Sequence, residues 1–320
     1  MLNPILAIGV LILGFILLVK GADFFVDGSS SVAKTLKVPG LIIGMTVVAM
    51  GTSLPELSVS VTASINNANS LAISNVVGSN LFNLMVVLGA SALVCNIPVG
   101  RDVLRRDLPF SIFCAVLLAV LGLTGRGLER IDGFILLGLF VAFLLTMIVL
   151  AIKSSRAAGE LSEEEEYKIL PMWKSLLYIV GGAVAIKFGG DWVVDAAVAI
   201  AKFLGASETL IGLTIVAVGT SLPELVTSLT AAKKHEMDMA VGNVVGSNVF
   251  NILMILGVAA SISPIFMDIE NVIDIIILVS FSVIILLFSI TEKKLERREG
   301  IVMLSGYGMF LFYIIVRAYL

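Results

Sequence analysis

Two glutamates in this chain stand where carboxylates are hardest to keep. Glu56 and Glu224 lie inside apolar stretches, and each directly follows a proline, in GTSLPE from Gly51 and again in GTSLPE from Gly219. An ionisable side chain at mid-membrane costs about 2.5–3.5 kcal/mol on insertion scales, so one that is kept there points to function. The proline sharpens the signal. It has no N–H to donate, and its ring clashes with the carbonyl four residues back, that of Gly51 or Gly219, so the helix is expected to open here. Backbone carbonyls around Ala49 to Thr52 and Ala217 to Thr220 would then be freed at the negative end of a half-helix, ready to face a cation.

The neighbouring polar residues repeat at helical spacing. Thr52 and Glu56 are four residues apart, as are Thr220 and Glu224, Ser79 and Asn83, and Ser247 and Asn251, so each pair shares a helix face. Brought together, they would offer two carboxylates, two side-chain amides, several hydroxyls and freed carbonyls. An all-oxygen set suits hard cations such as Ca2+ and Na+, not zinc or copper, which favour nitrogen and sulfur. Two carboxylates balance one Ca2+, and the same oxygens could instead hold more than one Na+. That mutual exclusion would couple the two ions, and protons are expected to compete for the carboxylates. A single membrane serine or threonine usually bonds only its own helix backbone. The weight here comes from Pro-Glu occurring twice, 168 residues apart, with matching surroundings.

Other reactive residues read more simply. Asp23, Asp27, Asp191 and Asp195 stand near the expected helix ends beside Lys20 and Lys187, as interfacial or pairing residues. His235, the sole histidine, sits in the polar run Lys233-Lys234-His235-Glu236, and Glu163 to Glu166 form a solvated acidic run. Cys95 and Cys114 show no CxxC spacing and read as small buried side chains. No cofactor is expected. A net charge of -3, without basic residues interleaved with aromatics, argues against nucleic acid as a partner.

The elements that must position these residues are membrane helices. The chain is 58% hydrophobic and 14% charged, with a mean hydropathy of +1.08, so its solvent is lipid. No charged residue occurs from Leu57 to Gly100. The segment GMTVVAMGTSLPELSVSVTA from Gly44 recurs as GLTIVAVGTSLPELVTSLTA from Gly212, and NVVGSNLFN from Asn75 recurs as NVVGSNVFN from Asn243. Five crossings are expected in each half, at about 2–22, 40–65, 71–95, 108–124 and 131–152, then 172–192, 208–232, 238–262, 271–290 and 300–319. The first is read as a retained span, not a signal peptide. The fold expected is an all-α membrane protein of ten transmembrane helices. Residues 1–152 and 172–320 form two five-helix repeats, with helices 2 and 7 broken and 153–171 as a cytoplasmic linker. An odd number of crossings per half inverts the second repeat, an arrangement that favours alternating access. Lys and Arg fall 16 to 5 on the two sides, which puts both termini outside a cell membrane.

The paired GTSLPE and GSNLFN or GSNVFN motifs resemble the two alpha repeats of the calcium/cation antiporter superfamily, in its sodium/calcium exchanger branch of the prokaryotic type. The resemblance covers essentially the whole chain and implies an antiporter, not an enzyme, that exchanges Ca2+ for Na+ as transported ions and works as a monomer. It implies that Glu56 and Glu224 are shared Ca2+ and Na+ carboxylates and that Thr52 and Thr220 add carbonyl or hydroxyl oxygens. It further implies that the carbonyls of Ala49 and Ala217, with Ser53, Ser221, Ser79 and Ser247, complete sodium sites, and that Asn83 and Asn251 line the centre. Several family members carry aspartate where Asn251 stands; asparagine implies potassium independence. The proton-coupled branch, which would make H+ the counter-ion, usually lacks GTSLPE and ranks second. A cation channel or an intramembrane enzyme could also place carboxylates at mid-membrane. Channels usually assemble their pore from several chains, and an enzyme would need a nucleophile that the sequence does not identify.

Overall fold

The computed structural model describes residues 4–319 apart from 67, 126, 160–168, 206–214 and 216. Helix α1 spans Pro4–Leu36 and therefore runs well past the expected end near residue 22. It continues through Asp23 and Asp27 because those charges are met from elsewhere in the chain, by Lys234 at 3.6 and 2.7 Å, while Lys20 lies 3.8 Å from Asp23 one turn away. These aspartates are pairing residues as expected, but they sit inside a helix and not near its end.

The second span is broken as the proline predicted. Helix α2 covers Gly40–Thr52 and α3 covers Leu54–Ile65, with a bend of 50° between them. Ser53, at φ -86° and ψ 12°, is the hinge residue. The counterpart break separates α8 (Ala217–Gly219) from α9 (Leu222–Lys233), with Ser221 at φ -94° and ψ 6°. The first part of that expected span, residues 208–214 and 216, lies outside the described residues.

Helix α4 spans Ser70–Val94, α5 Val103–Thr124, α6 Arg130–Gly159 and α7 Met172–Phe203. They are followed by α10 (Met237–Ile262), α11 (Ile269–Glu292) and α12 (Arg297–Tyr319). Helix α6 thus extends into the expected linker, whose acidic run at 163–166 lies outside the described residues. Among the described residues seven helices are long and apolar enough to cross a membrane, eight when α2 and α3 count as one bent span. The long helix α7, interrupted by Lys187, Asp191 and Asp195, is not among the seven.

Helices α4 and α10 form the core: 78% of each apolar window is buried, against 22–39% in the other five. Outer helices present Phe134, Ile148, Met309 and Phe312 outward, as lipid contact requires. Helices α1 and α7 run antiparallel along a seam of small residues spaced by seven. Gly14 meets Gly189, Gly21 meets Gly182, and Gly28 meets Ser175, with backbone atoms where a Cβ would stand.

Among the described residues, four two-residue strands sit in the loops. Strand β1 (Ile97–Pro98) pairs antiparallel with β4 (Lys294–Leu295), and β2 (Gly127–Leu128) pairs antiparallel with β3 (Ile265–Phe266). Each pair joins a loop of the first half to a loop of the second.

Candidate cation site

The bend after Thr52 turns Ser53 and Glu56 into the space between α4 and α10, and the bend after Thr220 does the same for Ser221 and Glu224. Glu56, Glu224, Thr52, Ser53, Ser221, Ser247, Asn83 and Asn251 are all fully buried, and Ser79 nearly so. Both carboxylates are held from the opposite half. Ser53 donates to Glu224 Oε1 at 2.7 Å, and Ser221 donates to Glu56 Oε1 at 3.1 Å. Ser53 Oγ also lies 3.1 Å from Ser247 Oγ. The two carboxylates are buried and close enough to interact, so a cation held between them would relieve their repulsion.

A bridge of asparagines crosses the centre. Asn80 Nδ2 donates to the Asn248 carbonyl at 3.2 Å, and Asn248 Nδ2 donates to the Asn80 carbonyl at 3.3 Å. Asn83 Nδ2 donates to Asn248 Oδ1 at 3.2 Å, and Asn251 Nδ2 donates to Asn80 Oδ1 at 2.9 Å. With their amide nitrogens engaged in this way, Asn83 and Asn251 keep their oxygens available. At each of these two residues the helix widens into a π turn, Asn83–Val87 and Asn251–Ile255, a feature that often marks functional positions.

Farther along, Asn75 and Asn243 brace the half-helices that carry the glutamates. Asn75 Nδ2 reaches Ser60 Oγ at 3.1 Å and the Glu56 carbonyl at 3.4 Å; Asn243 Nδ2 reaches Ser228 Oγ at 2.9 Å and the Glu224 carbonyl at 3.4 Å. Sequence reasoning singled out Ser79 and Asn83 but gave no role to Asn75, Asn80, Asn243 or Asn248. The signal was present, because all four lie inside the NVVGSN repeats at the 168-residue offset.

Two expectations about the backbone and hydroxyls change. The Ala49 carbonyl keeps a helical bond through the bend, accepting the Ser53 N–H at 3.1 Å and lying 3.3 Å from the Thr52 hydroxyl, so what it has to offer a cation is its remaining lone pair. The Thr52 hydroxyl itself is shared among the Val48 carbonyl at 3.2 Å, Ala49 and Asn243 Oδ1 at 3.1 Å. Thr52 therefore turns toward α10, the helix that carries Ser247 and Asn251, and its side chain meets Glu224 of the other half, where spacing had paired it with Glu56 of its own. Helix-cap geometry explains this: Ser53 leaves the helix before Pro55, so the four-residue spacing does not span one continuous helix. Of Ala217 the backbone alone is described.

The remaining oxygens set out what the site can bind. Glu56 Oε2, Glu224 Oε2, Asn83 Oδ1, Asn251 Oδ1, Ser79 Oγ and Thr220 Oγ1 are buried with no hydrogen-bond partner in the protein. Buried polar atoms are normally paired, so six orphans at one place call for an electrophilic guest. Among the described residues no three His, Cys, Asp or Glu side chains come together, so the fixed negative charge at this site is that of two carboxylates. A cavity of about 300 Å3, lined by Pro55, Gly219, Thr220, Lys187, Asp191 and Asp195, reaches the edge of the site.

Comparison with known proteins agrees with this chemistry. The family model described as sodium/calcium exchanger protein matches residues 6–149 and 174–316, one match for each half. The sodium/calcium exchanger MaX1 of Methanosarcina acetivorans is 33% identical over 337 aligned positions, covering 94% of this chain and 96% of its own. The inner membrane protein YrbG of Escherichia coli is 40% identical over 264, covering 81% of each. The solved structure of the sodium-calcium exchanger NCX_Mj, soaked with 2.5 mM Na+ and 10 mM Sr2+, superposes with a TM-score of 0.82 at 35% identity, covering 99% of this chain and all of that one. A predominantly helical membrane chain, with that architecture throughout and a paired-carboxylate oxygen site at its core, belongs to the sodium/calcium exchanger family.

Proposed function

We propose that this protein expels or admits Ca2+ in exchange for Na+ by alternating access, with both ions using the site around Glu56 and Glu224. The six unpartnered oxygens carry the reading. Ca2+ takes six to eight oxygen ligands, and Glu56 Oε2 and Glu224 Oε2 supply the two charges that one Ca2+ neutralises. Sodium ions use the same carboxylates together with Ser79, Ser247, Ser53, Ser221, Thr52 and Thr220 and the Ala49 and Ala217 carbonyls. Ser53 and Ser221 hold each carboxylate from the other half, so any shift of one half against the other changes both ligands at once.

The frame proposed for this is ten spans in two inverted halves, 1–152 and 172–320, joined by a cytoplasmic stretch at 153–171. The strand pairs support inversion. At the 168-residue offset β1 corresponds to β3, yet β1 pairs with β4 and β2 pairs with β3. Corresponding loops thus sit with different partners, as they do when the halves enter the membrane from opposite sides. The basic-residue bias supports a cytoplasmic position for the end of the molecule that carries Lys234, and we propose a cell-membrane protein that works as a monomer, since one chain holds both halves of the site.

The test is Ca2+ uptake into proteoliposomes with Na+, K+ and H+ gradients imposed one at a time. Uptake is expected only with an outward Na+ gradient. Uptake driven by H+ alone, or downhill Ca2+ flux without any counter-ion, would overturn the reading.

A further inference from the structure

The two halves carry the same aspartates on α1 and α7, but what meets those aspartates differs. Asp23 and Asp27 on α1 correspond to Asp191 and Asp195 on α7. Because α1 and α7 are antiparallel, with Gly14 beside Gly189 and Gly28 beside Ser175, the two pairs lie toward opposite ends of the seam. On the α7 side Asp191 pairs with Lys187 of its own helix at 2.6 Å, and the cavity beside it and Asp195 runs inward to Gly219 and Thr220.

On the α1 side the corresponding path is shut. Lys234, the first residue after α9, bonds Asp27 Oδ1 at 2.7 Å and the Asp23 carbonyl at 3.0 Å. Two residues on, Glu236 is bonded by Ser30 and lies 2.8 Å from Lys34. A larger cavity of about 780 Å3 opens at this end, but its walls are Asp27, Ser30, Lys34, Lys234, Glu236 and their neighbours, and it touches none of the site residues.

At the position corresponding to Lys234 the first half has Asn66, exposed at the end of α3. The lysine therefore exists on one side only. We propose that Lys234 is a one-sided latch: by tying the end of α9 to Asp23 and Asp27 on α1 it holds its own side of the molecule closed and biases the exchanger toward the state open beside Asp195. When that side opens, α9 and α1 must part and the bonds to Asp23 and Asp27 must break. Among the described residues the Lys234 ion pair has no counterpart at Asn66, which carries no charge. The repeat by itself would make the two closed states equal in energy; Lys234 makes them unequal.

This inference rests on the alternating-access reading above, and the experiment separates the two. Single cysteines are placed at Thr227, buried three residues beyond Glu224 toward Lys234, and at Val59, its counterpart beside the open cavity, in a Cys95→Ala, Cys114→Ala background. The readout is their rate of modification by a small methanethiosulfonate from either side of oriented vesicles. Lys234→Gln is expected to raise the rate at 227 and lower that at 59, each by about two- to fivefold, the factor a partly exposed ion pair supports. Lys234→Arg should leave both rates near the parent values. Asn66→Lys, which sets a lysine at the corresponding point of the first half, should move the two rates the opposite way. Rates that stay at the parent values in Lys234→Gln and Asn66→Lys overturn the latch, as does a rise at both positions, which signals local loosening. Parent rates at 59 and 227 that never move in opposite directions when Na+ or Ca2+ is varied would instead overturn alternating access itself.

Discussion

Around Ser53, Glu56, Asn80 and Asn83 the first half makes nearly the bonds that the second makes around Ser221, Glu224, Asn248 and Asn251. Toward the ends of the helices the likeness stops. Lys234 grips Asp27 where the other half has Asn66, and Arg317 binds Asp274 bidentately at 2.9 and 3.0 Å where the first half has Arg106 bound to its neighbour Asp107. The contrast separates two demands on one duplicated fold. On the proposed alternating access, the centre would have to present the same oxygens whichever half moves, while the ends would meet different aqueous phases and be free to diverge.

The strongest way to break that picture is at the glutamates. Glu56→Gln and Glu224→Gln should each reduce Ca2+ uptake by about two to three orders of magnitude, because either removes one of two charges from a buried cation site, a loss of about 3–5 kcal/mol. Both variants should remain monodisperse in detergent. One variant silent and the other active would show that the centre is not matched.

A second effect concerns the seam between halves. Gly182→Ala would set a methyl group 2.7 Å from the Phe25 nitrogen and 2.8 Å from the Gly21 carbonyl, so it should lower stability by about 1–3 kcal/mol in a thermal-shift measurement. Gly181→Ala, one residue earlier and facing open space, should stay within about 0.5 kcal/mol. Equal melting temperatures for the two variants would remove the seam from the account.

The smallest effect tests Asn251. The unmodified protein should take up Ca2+ on a Na+ gradient with K+ replaced by choline, since two carboxylates already balance one Ca2+. Asn251→Asp should shift the K+ or pH dependence by about tenfold, a change of about 1.4 kcal/mol, with little loss of folded protein. If the centre is matched, Asn83→Asp does the same. An absolute K+ requirement in the unmodified protein would refute the assignment.

Much of the site was legible because duplication doubles every signal. A buried Glu after Pro is weak evidence once; at one fixed offset, with Ser and Asn following in register, it picks out both broken helices and most of the buried polar residues that the structure gathers at the centre. What stayed hidden was anything that depends on contact between halves. Spacing pairs Thr52 with Glu56 inside one helix, but the structure pairs Ser53 with Glu224 and Ser221 with Glu56. The end of α1 was misplaced for the same reason. Lys20, Asp23 and Asp27 break the apolar run and look like an interface, until Lys234 arrives from 200 residues away to let the helix continue. The π turns at Asn83 and Asn251 and the two-residue strands have no local pattern that distinguishes them from their surroundings.

The mutual asparagine bonds have a bearing on ion size. Asn80 and Asn248 grip each other's backbone at 3.2 and 3.3 Å, so they act as a caliper fixed across the crossing of the two most buried helices. Hydrogen bonds of this kind tolerate only a few tenths of an ångström before they weaken. Mg2+ wants its oxygens at about 2.0–2.1 Å, where Ca2+ accepts about 2.3–2.6 Å and irregular geometry. Helices pinned by the caliper resist closing around the smaller ion, and Mg2+ gives up its own water shell reluctantly. On the proposed function, stiffness alone would then disfavour the abundant competitor, with no residue assigned to reject it.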